Sequence, residues 1–108
     1  MSKIINLTPH AINLYKNGEF IETLPSCGIV RVKFENKVVD TVNGYEVKQL
    51  KLIEMCDLPP QISNTYYIVS RIVAEVAKRS DLLVPCDTIR DSEGCIIGCS
   101  SFATFYRE

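Results

Sequence analysis

The sequence predicts an α+β domain, in which a mostly antiparallel β-meander precedes a β-α-β-β unit. Three observations support this class. Short alternating apolar runs fill the first half of the 108-residue chain, and two Asn-Gly pairs offer hairpin turns between them. From residue 65 the apolar period changes to that of a helix. We therefore expect one main helix packed on a mixed sheet, within a single domain spanning residues 1–108.

The first half has the pattern of a meander of about five or six strands. The runs IINL, AINLY and EFIETL are short and apolar, and Asn17-Gly18 is the strongest hairpin signal among them. IVRVKFEN alternates apolar with polar or charged residues, and the pair Asn43-Gly44 joins KVVDTV to YEVKQLKLIE. This alternation predicts a sheet with one solvated face.

The second half predicts strand, helix, strand and strand. YYIV is typical of a strand covered on both faces, and Ser70 follows as the expected N-cap of a helix over residues 71–79. The LLVP run predicts the next strand, parallel to the first, before RDSEG turns the chain into CIIGCSSFATF. The residues expected between helix and sheet are Val69, Ile72, Val76, Leu82 and Val84.

The charge balance excludes general attraction to nucleic acid or to anionic membranes. Twelve basic and thirteen acidic residues leave a net charge of −1. The opening MSKIINLTPH lacks the apolar run of a signal peptide, and no stretch approaches the roughly 18 apolar residues of a membrane span. We expect a cytoplasmic protein.

The five cysteines are an odd number in a chain without a secretion signal, so reduced thiols are expected. Zinc ligation by Cys86, Cys95 and Cys99 with His10 is the alternative. A CxxxC spacing within a strand does not give the knuckle geometry of structural zinc sites. We therefore expect no metal and no cofactor.

Polar residues at two predicted strand ends form the main candidate site. Ser70 and Arg71 follow the first strand of the predicted parallel pair, and Asp87, Thr88 and Arg90 follow the second. Loops at the carboxyl ends of parallel strands converge, so these groups would suit a phosphate or carboxylate. In the alternative, the serine only caps the helix, the arginines are solvated and the aspartate serves a turn. No glycine-rich phosphate loop is present.

The turn LTPHAI supplies a second group of candidates. Asn6, Thr8 and His10 could face the same pocket, with His10 the single histidine of the chain. A Cys-His pair for nucleophilic catalysis would need a cysteine beside this histidine, and no sequence signal places one there. We predict no catalytic residue, and an enzyme acting on a nucleotide-like substrate stays an alternative.

Three segments carry a resemblance to known proteins: NLTPHAINLY, PSCGIVRV and YIVSRIVAEVAKRSDLLVPCDTIRDSEGCIIGCSSF. Together they resemble a family of small proteins from phages, prophages and bacterial genomes that share an NLTPH opening and a VSR, DLLVP, RD and IIGC ending. The resemblance covers most of the chain. It implies a phage accessory protein, a group that frequently acts on host systems, including by sequestering nucleotide immune signals. It supplies no catalytic residues.

These observations lead to one function with two alternatives. The expected function is binding of a small anionic, nucleotide-like ligand by a phage-type anti-defence protein, with sequestration of a host immune signal. One alternative is an inhibitor or accessory factor that contacts a host protein through an apolar or edge-strand surface. The other is the enzyme described above. Because net charge gives no long-range capture, a second subunit could complete the pocket in a homo-oligomer.

Overall fold

The computed structural model describes residues 2–106, most of which lie in β-strands. The elements in chain order are β1 (Lys3–Asn6), β2 (Ile12–Lys16), β3 (Glu19–Leu24), β4 (Arg31–Val42), β5 (Tyr45–Cys56), β6 (Thr65–Ile68), α1 (Arg71–Ala77), β7 (Leu82–Arg90) and β8 (Ile96–Ala103). Within the described part of the chain, α1 is the single helix, and it has seven residues.

Six strands form one mixed sheet in the order β1-β6-β7-β8-β2-β3. β6 is parallel to both of its neighbours, β1 and β7, and β8 is parallel to β2. The pairs β7·β8 and β2·β3 are antiparallel. Just after β3, the strand at the other edge of the sheet, Ser26 forms a parallel bridge with Asn6 at the end of β1. The two edges of the sheet therefore meet, and the sheet is nearly a closed barrel.

The prediction of an α+β domain is wrong, because the protein is mostly β. The predicted meander assumed that consecutive strands pair, but β1 pairs with β6, where Lys3 lies opposite Thr65. The segment between β1 and β2 is held by side-chain hydrogen bonds and forms no hairpin. Pairings between strands distant in sequence close the sheet, and the short helix covers only part of it. Local alternation carries no information about such distant partners.

Both predicted Asn-Gly hairpins are confirmed. Asn17 and Gly18 have φ values of 52° and 80°, and they join β2 to β3. Asn43 and Gly44, with φ values of 50° and 83°, join β4 to β5. Positive φ at both central residues is the requirement of a type I′ turn, which asparagine and glycine meet at low steric cost.

The core lies between α1 and the parallel strands. Its buried residues are Leu7, Val30, Tyr67, Val69, Val73, Ala74, Leu82 and Val84. The helix contributes Val73 and Ala74, whereas Ile72 and Val76 are 40% and 42% exposed. The predicted helix face was therefore wrong for these two residues. In a helix of two turns, the pair Ile72 and Val76 and the pair Val73 and Ala77 both have helical spacing, so the sequence pattern alone does not select the buried face.

β4 and β5 form a separate two-stranded sheet that leaves the barrel. Val32 and Met55 at its base are half-buried against the core. We call its outer part, residues 35–51, the arm, and every residue of the arm is exposed. The radius of gyration of 16.8 Å exceeds the roughly 13 Å expected for a compact domain of this length. The hairpin therefore extends the molecule beyond its core.

Candidate functional site

A cavity of about 560 Å³ opens where β6 ends and α1 begins. Thr8, Ser70, Arg71 and Cys86 contribute polar or charged groups to its lining. The rest of its wall is apolar and consists of Ile12, Val69, Val84, Pro85, Ala103 and Phe105. Three of the eight predicted site residues, the threonine, the serine and the arginine, therefore line one cavity.

Arg71 lies at the rim of this cavity with its guanidinium over an aromatic ring. The guanidinium carbon is 5.3 Å from the centroid of the Phe105 ring. Its Nε donates to Glu75 Oε1 at 3.2 Å, across one turn of α1. The side chain stays 76% exposed, so the ion pair is weak and readily exchanged. Among the described residues that line the cavity, Arg71 is the single charged one.

Ser70 precedes α1 in an extended conformation, with φ −65° and ψ 155°. Its carbonyl accepts from the Ala74 amide at 3.1 Å, which begins the helix. Its hydroxyl makes no capping hydrogen bond. The sequence therefore predicted the position of the helix start correctly, but the serine side chain does not cap it.

Asn6 is fully engaged in holding the loop between β1 and β2. The side chain is 1% exposed, and its amide donates to the carbonyls of His10 at 2.8 Å and Leu24 at 3.0 Å. Its Oδ1 accepts from the Thr8 amide at 3.0 Å and from the Thr8 hydroxyl at 2.6 Å. The Asn6 backbone oxygen also accepts from Cys27. This asparagine therefore fastens the barrel closure and has no group left for a ligand.

His10 contributes through its backbone more than through its imidazole. Its carbonyl accepts from Asn6 Nδ2 and, at 3.1 Å, from the Thr8 hydroxyl. The residue is exposed, and it does not line the cavity beside Arg71. The NLTPH segment thus forms a hydrogen-bonded loop that brings Thr8, but not His10, to the cavity.

The structure does not bring the three later candidates to this cavity, because the predicted loop after LLVPC is strand. β7 continues to Arg90 and pairs with β8. Asp87 has φ 50° and its Oδ2 accepts from the Ser101 hydroxyl at 2.6 Å. Thr88 lines a separate cavity of about 170 Å³. Arg90 Nη1 donates to the Gly94 carbonyl at 2.7 Å, in the turn that joins β7 to β8.

Sequence reasoning missed Phe105, the residue that gives the cavity an aromatic wall. It lies just beyond β8 and is 44% exposed. In the sequence, nothing distinguishes it from the neighbouring aromatic residues Phe102 and Tyr106. Cys86 was considered only as a zinc ligand, and its position on β7 places it in the cavity lining.

Two of the five free thiols have perturbed acidity. Burial raises the pKa of the Cys99 thiol, and a hydrogen bond with the Glu54 side chain raises the pKa of the Cys56 thiol. In residues 2–106, no three His, Cys, Asp or Glu side chains group closely enough to hold a metal ion. Over the same residues, no helix has the length and apolar character needed to cross a membrane.

Comparison of the chain with protein-family models, curated proteins and solved structures finds no match. The resemblance to phage proteins described above gains no support from these comparisons and stays a prediction. Functional conclusions therefore depend on the geometry of the cavity and of the arm.

Proposed function

We propose that this protein binds a small anionic ligand with a flat apolar group, such as a nucleotide, in the cavity beside Arg71. In a phage context, binding in the host cytoplasm would sequester a nucleotide signal. The observation that carries the proposal is the Arg71 guanidinium over the Phe105 ring at 5.3 Å, at the mouth of a largely apolar cavity. A cation next to an exposed aromatic ring provides the two kinds of group that the phosphate and the base of a nucleotide require.

The anionic part of the ligand would bind Arg71. A guanidinium offers paired N–H donors that match the oxygens of a phosphate or carboxylate. Glu75 now accepts from Nε at 3.2 Å, and a ligand anion would compete with this carboxylate. The hydroxyl of Ser70, which makes no capping hydrogen bond, adds a short-range donor on the same cavity wall. Binding would thus replace the weak Arg71–Glu75 ion pair with an interaction between Arg71 and a doubly charged or bidentate group of the ligand.

The flat part of the ligand would bind the apolar wall. Phe105 is 44% exposed, and exposed aromatic side chains can stack with nucleobases. The volume of about 560 Å³ lies within the range of roughly 300–1,000 Å³ for small-molecule sites. Ile12 and Val84 add aliphatic surface opposite the polar rim.

Binding is supported over turnover by the character of the lining. No carboxylate or imidazole is found among the residues that line this cavity in the described chain. A general acid or base would have to lie within hydrogen-bond reach of the reacting group. Cys86 is a possible nucleophile by residue type, but no base accompanies it in the lining. A ligand held here would be released unchanged.

The test is a thermal-shift screen against nucleoside phosphates and cyclic nucleotides, followed by calorimetry on any hit. A ligand at about 100 times its dissociation constant should stabilise the fold by about 2.7 kcal/mol. Arg71→Ala should weaken binding by about 1.5 to 3 kcal/mol, the range for hydrogen bonds to charged groups. Glu75→Gln should tighten it by about 0.3 kcal/mol, because the competing carboxylate is removed.

Arg90→Ala is the matched control, since it removes the same charge at the distant β7–β8 turn and should leave binding unchanged. A screen in which no anionic ligand raises the melting temperature would argue against the proposed function. Equal affinity of the wild type and Arg71→Ala would exclude this cavity as the site.

A further inference from the structure

Among residues 2–106, no strand pairs with the outer edge of β5, and this edge is regular. Within the arm, β4 has an extra residue at Val39, where the register shifts, whereas β5 runs without a shift from Tyr45 to Leu52. An isolated two-stranded hairpin is only marginally stable in water. This one also exposes Tyr45 at 77% and Leu50 at 64%. A regular free edge with apolar neighbours is suited to pairing with another strand.

The sequence of that edge is complementary to itself. Glu46-Val47-Lys48 reads acid, apolar, base along the strand. If two copies of β5 pair antiparallel about a twofold axis at Val47, this valine faces its own counterpart. Glu46 then lies opposite Lys48 of the second copy, and the symmetry repeats the ion pair on the other side of the axis.

Other registers are disfavoured by the same residues. Moving the axis to Lys48 would place two lysines opposite each other, and moving it to Glu46 would place two glutamates opposite each other. Like charges directly opposite in a sheet are destabilising. Edge lysines also suppress indiscriminate pairing with other strands. The charge pattern therefore favours pairing with a second copy of this chain about Val47 over the two adjacent registers.

We infer that two copies of this chain dimerise through β5, forming a four-stranded sheet across a twofold axis at Val47. Val42, Tyr45 and Val47 lie on one face of the arm, by their alternation and direct pairing. In the dimer, these three residues join their counterparts in one apolar patch on the shared sheet. The chain's net charge of −1 opposes association only weakly. The inference is independent of the ligand proposed for the cavity.

Sedimentation velocity over a dilution series tests the dimer. Wild type should move from the monomer mass of 12.2 kDa toward twice that mass as concentration rises. Glu46→Lys and Lys48→Glu each create two repulsive pairs and should weaken the dimer by about tenfold or more, equivalent to about 1.4 kcal/mol. An equimolar mixture of these two variants should dimerise again, because every pair across the axis is then opposite in charge.

Lys37→Glu is the control, since it reverses a charge of the arm on β4 and should leave the dimer intact. Circular dichroism of each variant would show that the fold persists. Wild type that stays monomeric throughout the series would overturn the inference. Single variants that dimerise like wild type, or a mixture that stays monomeric, would overturn it equally.

Discussion

The barrel and the arm are both made of β-strands, but only the barrel buries its side chains. Ile68 and Leu82 in the barrel are fully inaccessible to solvent, whereas Val38 and Val42 in the arm are 46% and 52% exposed. The barrel is closed by pairings between strands far apart in sequence, while the arm is a local hairpin around one Asn-Gly turn. Strand formation alone therefore does not bury side chains. The barrel strands are covered by α1 and by other strands of the sheet, whereas the two-stranded arm has no such cover.

The two regions also use charge differently. In the barrel, Asp81 is 3% exposed and accepts two hydrogen bonds from Arg79, at 2.9 Å and 2.6 Å. In the arm, Glu35 lies opposite Lys51 on the solvated hairpin. Removing one partner of the buried pair leaves a charge without compensation, whereas an exposed pair contributes little. Substitutions should therefore separate the two regions clearly.

The largest expected difference comes from placing a charge in each region. Val73→Asp puts a carboxylate at a fully buried position of the helix, and we expect it to abolish cooperative unfolding or to cost more than about 4 kcal/mol. Val42→Asp in the arm should change stability by less than about 1 kcal/mol. Chemical denaturation followed by circular dichroism measures both. Val76→Asp, on the exposed side of the same helix, should resemble the arm variant.

A smaller difference in stability loss between the barrel and the arm is expected when one asparagine in each region is replaced by alanine. Asn6→Ala removes the side chain that joins His10 and Leu24 in the barrel, and the stranded carbonyls should cost about 2 to 4 kcal/mol. Asn36→Ala makes the same change in the exposed arm and should cost less than about 0.5 kcal/mol. Midpoints from urea denaturation provide the comparison. Equal losses would show that the hydrogen bonds of Asn6 do not hold the barrel.

Shortening the hairpin tests whether the barrel needs the arm at all. Phe34 and Leu52 lie directly opposite each other. Residues 35–51 can therefore be replaced by Asn-Gly, which makes a two-residue turn. Because every deleted residue is exposed, the free energy of unfolding should change by less than about 1 kcal/mol. Thermal denaturation measures this change. Unfolding of the shortened protein would mean that the arm supports the barrel.

The smallest effect concerns thiol reactivity within the barrel and at its surface. Cys27 and Cys95 are exposed, whereas Cys99 is buried and its pKa is raised by burial. A raised pKa lowers the thiolate fraction at any pH below it, so Cys99 should be alkylated at least about tenfold more slowly than the exposed thiols. Peptide mass spectrometry at timed intervals measures this order. Reaction of all three at one rate would contradict the buried position.

Sequence reasoning predicted the locally determined parts of the molecule. The two Asn-Gly turns, the helix start after Ser70 and the parallel pairing of β6 with β7 all follow from residues close together in the chain. The closure of the sheet could not be predicted, because it depends on where β1 finds a partner, and Ile4 pairs with Tyr66. No local pattern encodes that choice.

The candidate site was predicted in part for the same reason. Thr8, Ser70 and Arg71 meet because their elements are neighbours at one end of the parallel strands. Asp87 and Arg90 were expected in a loop because both are polar and follow a proline-containing apolar run. Pairing with β8 instead extends β7 through both residues, and Asp87 has a positive φ within this strand. A partner strand overrode the local preference for a turn.

The position of β1 in the sheet order also bears on the synthesis of the chain. β1 ends at Asn6, yet β6, the strand that pairs with it, ends at Ile68 and leaves the ribosome later. At about 5 to 20 residues per second, roughly three to twelve seconds separate the appearance of the two strands. During that interval the β2–β3 and β4–β5 hairpins can already form, because each needs only its own turn. β1 thus waits longer for its partner strand than the strands of either hairpin do, and until then its apolar residues are exposed to chaperones.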